Sequence, residues 1–461
     1  MRKRTITRTL TPVAITLALL LSNSSQAENL IDVYRAALQN DPQFLASQAR
    51  SDAAKEGIAI ARSVLLPQIG ATATASNTDG DSSRTFIGEE TLQPITVSGS
   101  SDTDANSISL RLDQQLYHHD SWIGLSQAKK RSTQAELAYT GELQGLVTRS
   151  AQLYFDVLAA QDGVELAQSE LESIGKQLEQ TKQRFNVGLI AITDVHEAQA
   201  RYDSAQFNMI VAQNTLDNAN ESLRQITGSY YTKLNRLRVD LPLTTPEPAS
   251  ADDWVKVAEE NNVSLRALRL GVDVARDEVK RQRAGHYPTL DLSANYSDRS
   301  EDSTSTQDGI PGSFPGSQDS DGTTVGVTLS VPIFSGFRTS ALTDQASANF
   351  VVASQDMEKQ HREVVRDSRS SYLGLNAAIS SVTALTQAEL SAQSALEATQ
   401  AGFEVGTRTI VDVLQANSNL YQAKRNLWKA RYAYALNVLK LKTAAGTLVE
   451  DDLVKVNSWL E

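Results

Sequence analysis

The chain has no cysteine, which excludes disulfides, thiolate chemistry and a lipidated N-terminal cysteine. Beyond its first two dozen residues, no apolar run approaches about 18 residues. No helix of the mature chain is therefore expected to cross a bilayer, and any membrane insertion must use strands. Basic residues are in the minority: 43 Lys and Arg stand against 55 Asp and Glu, a net charge of −12. A protein this acidic is a poor partner for nucleic acid or an anionic membrane surface. Histidine is scarce, with five scattered residues, His118, His119, His196, His286 and His361. The adjacent His118 and His119 do not face the same way and match no zinc spacing. They read as surface or interfacial side chains, and neither a metal nor a cofactor is expected. Phosphate loop, nucleophile elbow and zinc helix are also missing, which argues against an enzyme.

The N-terminus does carry a pattern. Arg2, Lys3, Arg4 and Arg8 precede an apolar run from Pro12 to Leu21, and Ser25-Gln26-Ala27 places small residues where a signal peptidase reads. Ten residues cannot cross a ~30 Å hydrocarbon core as a helix. Residues 1–27 are expected to be a cleaved secretory signal. Four basic and no acidic residues would leave with it, so the mature 434 residues would carry 39 basic against 55 acidic side chains, net −16.

The remainder is written twice. Residues 185–228 align with 403–446 without a gap, and 12 of these 44 positions are identical, among them Phe185 with Phe403, Gly188 with Gly406, Asp194 with Asp412 and Gly228 with Gly446. Upstream, 61–76 resembles 282–297, with Pro67 matching Pro288, and 108–117 matches 325–334. The expected organisation is a first repeat at 28–235, a linker at 236–250 whose end LPLTTPEPAS holds three prolines, a second repeat at 251–448 and a C-terminal segment at 449–461. Each repeat reads as helix, strand, polar loop, strand, very long helix, tight tip and very long helix.

The helices are read from their period. Val195, Ala198, Tyr202, Ala205, Met209, Ala212, Leu216, Ala219, Leu223 and Ile226 step by three and four without a break, as do Val164, Ala167, Leu171, Ile174, Leu178, Thr181 and Phe185. The second repeat does the same from Val413 to Tyr434, and its partner helix breaks the pattern once, at Glu389. A sustained 3.5-residue period means helices that supercoil on neighbours. The Ala-rich seam suits a sheet-like array of helices. Residues 120–184 contain no proline, so at 1.5 Å per residue this rod reaches about 100 Å.

Four segments alternate instead: about 67–76, 107–117, 288–297 and 325–334, with Ile69, Leu110, Leu292 and Val327 on apolar faces and Thr72, Arg111, Ser293 and Thr328 on polar ones. A soluble sheet with one buried face would alternate too. Membrane-barrel strands are favoured by Tyr117 and Phe334 at equivalent strand ends, with Trp122 and Phe337 just beyond, as in an interfacial aromatic belt. They are also favoured by the long polar segments 77–106 and 298–324, read as extracellular loops. Four strands cannot close a barrel, which needs about eight, and open edges in lipid leave backbone groups unpaired. The chain must oligomerise, in a number this argument does not fix. A secreted or periplasmic trimeric coiled-coil structural protein or adhesin would explain the heptads but not two strand pairs with polar faces.

RFNVGLIAITDV (184–195), LRQITGSYY (223–231), ARSVLLPQ (61–68) and VGTRTIVDVL (405–414) closely resemble segments of the TolC-type outer membrane efflux proteins, over essentially the whole mature chain. The resemblance implies a mainly α-helical homotrimer with a 12-stranded outer-membrane barrel continuous with a 12-helix periplasmic barrel. It further implies a passive exit duct for efflux and type I secretion, working with a periplasmic adaptor and an inner-membrane pump or ABC secretion transporter. The tips, Val187-Gly188-Leu189 and Val405-Gly406-Thr407, would form the periplasmic mouth and adaptor contact, although turning the chain is itself sufficient reason for both glycines. Asp412 could simply complement its helix dipole; the resemblance instead places it in an acidic ring at the pore constriction, where it could hold blocking cations. The family's second acid one turn on is Gln415 here, so a weaker ring is expected. The family's closed-state links map to Arg408 with Thr193 and Asp194, and to Gln177 with Glu358, while a networked tyrosine is Phe403 here. The Arg408–Asp194 pair is the expected latch.

Overall fold

The computed structural model describes residues 28–87, 94–231 and 233–461; the signal segment 1–27 lies outside them. The elements run α1 (Leu30–Asn40), α2 (Pro42–Ser63), β1 (Gln68–Ile87), β2 (Pro94–Tyr117), α3 (His119–Asn186), α4 (Ile192–Thr227), α5 (Ala251–Asn261), α6 (Val263–Arg283), β3 (Thr289–Gln307), β4 (Ile310–Ser330), α7 (Arg338–Glu404), α8 (Ile410–Ala445) and α9 (Glu450–Asn457). They divide between two compact units, one of residues up to 48, 139–265 and 360–461, the other of 49–138 and 266–359.

The first unit is helical. The 3-4 stepping translates directly into burial: Ala167, Ile174, Leu178, Ala198 and Ala205 are under 9% exposed, as are Val413, Leu420, Leu427 and Tyr434. Burying each larger side chain contributes roughly 1.5–3 kcal/mol, and the alanines let the helices approach closely. The break at Glu389 has a counterpart: Arg431 of α8 is 7% exposed, its charge is influenced by Glu389 and its guanidinium lies 5.1 Å from the Trp428 ring. The proline-rich 236–250 segment is stitched to the helices. Leu237 is 1% exposed, Tyr434 Oη donates to the Pro242 carbonyl, and Trp254 Nε1 donates to that of Pro248. The C-terminal segment joins it through Arg238 N–H donating to the Trp459 carbonyl.

The second unit holds a four-stranded antiparallel sheet in the order β1-β2-β3-β4. Register places Ile69 opposite Leu112 and Ala71 opposite Leu110; Leu110 faces Tyr296, Leu292 faces Val327 and Leu290 faces Leu329. Directly opposed residues share a face, so one apolar face crosses all four strands, and it is exposed, as at Ile69 (69%), Val325 (67%) and Leu329 (63%). The opposite face carries Gly70 with Arg111, Thr72 with Ser109, Asp113 with Ser293 and Asp291 with Thr328. Tyr117 closes β2, Trp122 lies in the first turn of α3, and Phe334 and Phe337 meet edge-on, 5.4 Å apart, beyond β4. All four are exposed.

The strands correct the expected boundaries. Segments 77–87, 94–106 and 298–307, with most of 310–324, are paired strand rather than loop, and β4 ends at Ser330, short of 334. Main-chain pairing needs no apolar alternation. Here polar side chains bridge the strands, with Thr85 to Thr96 at 2.8 Å, Ser100 to Thr306 at 2.7 Å and Ser300 to Asp319 at 2.6 Å. The alternation therefore marked the stretch with one apolar face and stopped where the strands become polar on both faces. His118 Nε2 lies 2.9 Å from Asp291 Oδ1 and His361 Nε2 2.8 Å from Glu259 Oε1, each in a polar pair.

Candidate functional site: the paired helix tips

Two turns end the long helices of the first unit. At the first, Gly188 takes φ +77°, and Leu189 N–H donates to the Arg184 carbonyl at 2.9 Å. At the second, Gly406 takes φ +79°, and Thr407 N–H donates to the Gly402 carbonyl at 2.8 Å. Left-handed backbone at this position favours glycine and pairs the last helical carbonyls. Val187, Leu189 and Val405 stand more than 70% exposed, which puts apolar side chains on the outermost surface of both turns.

Behind the turns the two hairpins share one core. Ile174, Leu178, Ala198 and Ala205 of the first pack with Leu396, Ile410, Val413, Leu414 and Leu420 of the second, and Phe403 packs against this cluster. Beside it lies a cleft of about 570 Å³ lined by Gln177, Gln180, Gln183, Arg184, Gln400 and Phe403, among others. Gln177 is 8% exposed; its carbonyl oxygen accepts from Thr181 Oγ1 at 2.7 Å, while its side-chain Oε1 has no partner among the described residues. A buried amide oxygen left so costs about 1–3 kcal/mol. Glu358 belongs to the other unit.

Asp412 is the third residue of α8. Its Oδ2 accepts from Thr409 N–H and Thr409 Oγ1, both at 2.9 Å, and Thr409 Oγ1 accepts from Asp412 N–H at 3.3 Å. This reciprocal cap satisfies two orphan donors of the first turn. The Thr409 N–H and hydroxyl, with Arg408 nearby, hold the Asp412 carboxyl below its ordinary range. Gln415 Nε2 donates to Asn419 Oδ1 at 3.0 Å. Asp194, the counterpart of Asp412, begins α4 behind Ala191, which offers no side-chain cap.

Within one chain, no ion pair or hydrogen bond among the described residues joins Arg408 to Thr193 or Asp194, which leaves a link between copies open to it. Arg408 folds along its own hairpin, its Cγ over Gly402, where a Cβ would approach it to 2.8 Å, and its charge acts on Asp412. At the tips Arg184 crosses between the hairpins, its guanidinium carbon 4.3 Å from the centroid of the Phe403 ring; further from the tips Arg425 pairs with Glu170 at 2.8 Å. Such contacts are worth about 0.5–1 kcal/mol when exposed and about 2 or more when desolvated. The sequence showed the missing hydroxyl at Phe403 but not this cation, because Arg184 lies on a different helix. The Thr409-x-x-Asp412 spacing was a readable capping signal.

An apolar sheet face with two open edges, and helices of 68 and 67 residues ending in paired tips, define a duct-forming membrane protein. The chain belongs to the outer membrane efflux protein family, whose model matches residues 33–229 and again 254–447. It is similar to the outer membrane protein TolC of Vibrio cholerae, 42% identical over 98% of both chains, and to the proteases secretion protein PrtF of Dickeya chrysanthemi, 30% identical over 97% of this chain and 95% of that one. Its fold matches the solved structure of CusC, with TM-score 0.72 and 17% identity over 91% of this chain and 92% of that one. The protein is an exit duct of the Gram-negative outer membrane, extending into the periplasm, for efflux and secretion.

Proposed function

We propose that three copies of this chain close one passive duct, with a 12-stranded barrel and a 12-helix barrel, gated at the periplasmic tips. The exposed apolar face bounded by unpaired edges on β1 and β4 carries this reading. Each edge group left in hydrocarbon would cost several kcal/mol, and neighbouring copies supply the missing partners. Three is the count that the family fold implies. The mouth is lined by Asp412 with Gln415 one turn further on, so three carboxylates form a single acidic ring that favours cations and holds blocking ones weakly. Val187, Gly188, Leu189, Val405, Gly406 and Thr407 present the surface for a periplasmic adaptor, behind which an inner-membrane efflux pump or ABC secretion transporter delivers cargo. No catalytic step is assigned to the chain; its relatives are channels. The polar sheet face, which only a water-filled barrel requires, and the family together set aside the coiled-coil adhesin. Purified mature protein in planar bilayers tests the reading: channels from a particle of three subunits are expected, and a non-conducting monomer would overturn it.

A further inference from the structure

Closure at the tips needs contacts that cross from one hairpin to the other, and within one chain Arg408 reaches neither Thr193 nor Asp194. Arg184 does cross. It ends α3, has no ion pair or side-chain hydrogen bond among the described residues, and lies 4.3 Å from the Phe403 ring centroid at the end of α7. Phe403 is itself seated on the core that both hairpins build. A phenyl ring offers this face without a hydroxyl, so the residue that removes a hydrogen bond from the family's network supplies a different link.

We propose that Arg184 and Phe403 form an inter-hairpin latch: the guanidinium on the ring holds the first hairpin against the second, and opening breaks this contact in every copy. The inference rests on the reading of the tips as the gate. A guanidinium does not deprotonate in proteins and a phenyl ring does not titrate, so this contact is independent of pH.

The test uses the full mature assembly in planar bilayers. Arg184→Gln and Phe403→Leu are each expected to raise the open-to-closed ratio at least about tenfold, since three contacts are lost together. The double variant should rise no further than either single one, and Phe403→Tyr, which keeps the ring face, should conduct as the parent does. Arg184→Gln at parental conductance, or single effects that add in the double variant, would overturn the latch. Gln415→Cys, the sole thiol in such a chain, separates this from the gate. Labelling it with a bulky maleimide should reduce conductance. Reduction together with a silent Arg184→Gln removes the latch and keeps the gate, whereas unchanged conductance after labelling means that the tips are not the constriction.

Discussion

The two hairpins carry the same turn and unequal helices after it. Gly188 and Gly406 take nearly the same φ, and Gly228 and Gly446 end α4 and α8 at +74° and +73°. Yet α8 starts on the Thr409–Asp412 box and buries 14 side chains, while α4 starts on an uncapped Ala191 and buries five. On α4, Phe207 and Ile210 are each 64% exposed. Duplication copied the backbone solution and left the surroundings free to diverge. The second copy's return helix became the fixed element of the core, and the first copy's kept an apolar face outward, where a neighbouring copy can cover it.

The helix ends should show the largest difference. A Cβ on Gly446 would meet the Asn261 carbonyl oxygen at 2.5 Å, whereas one on Gly228 meets only the Asn40 side chain at 3.7 Å. Both positions carry the left-handed cost, on the order of 1–2 kcal/mol. Gly446→Ala adds a backbone clash and is expected to cost about 3–4 kcal/mol or abolish folding, against about 1 kcal/mol for Gly228→Ala. Denaturant unfolding of the two variants measures this, and equal losses would mean that the repeats are equally constrained there.

The helix starts come next. Thr409→Ala should cost about 1 kcal/mol and expose the first-turn amides of α8 to exchange, while Ala191→Ser should add several tenths to α4 by offering the missing acceptor. Faster amide exchange at 410–413 in the first variant and slower exchange at 192–195 in the second are the expected outcomes. If neither changes, the caps do not distinguish the hairpins.

The architecture was legible because the period is long and regular. Steps from Val195 to Ile226 and from Val413 to Tyr434 leave one face for the core. The strands were legible only where one face is apolar. Beyond Ser76 and Ser297 the residues are polar on both faces, so pairing leaves no periodic trace, and the extensions came from the structure. At the tips, glycine and the capping acid follow from local backbone demands and could be read. The Arg184–Phe403 contact depends on two distant helix ends meeting, and no local pattern encodes that.

The smallest effect sharpens the comparison at Asp412 itself. Thr409 and Arg408 lower its pKa, so the folded chain holds the ionised form more tightly than the unfolded chain, whose value is about 3.9. The resulting contribution to stability is fully present above that value and is lost as pH falls through the lower folded one. If Asp412 lines the mouth, cation selectivity should stay level from about pH 7 down to about pH 4 and decline only below that, in a single step, because Gln415 does not titrate. Thr409→Ala should move the decline upward toward about 3.9 by removing the donors that hold the carboxylate, and Asp412→Asn should abolish the pH dependence. Reversal potentials across a salt gradient read all three. A decline already under way near pH ~6 would mean that mutual repulsion among the three carboxylates outweighs what Thr409 and Arg408 supply. The cap would then be subordinate to the ring, and the difference between the two hairpin starts would lie in the pore rather than in the helix.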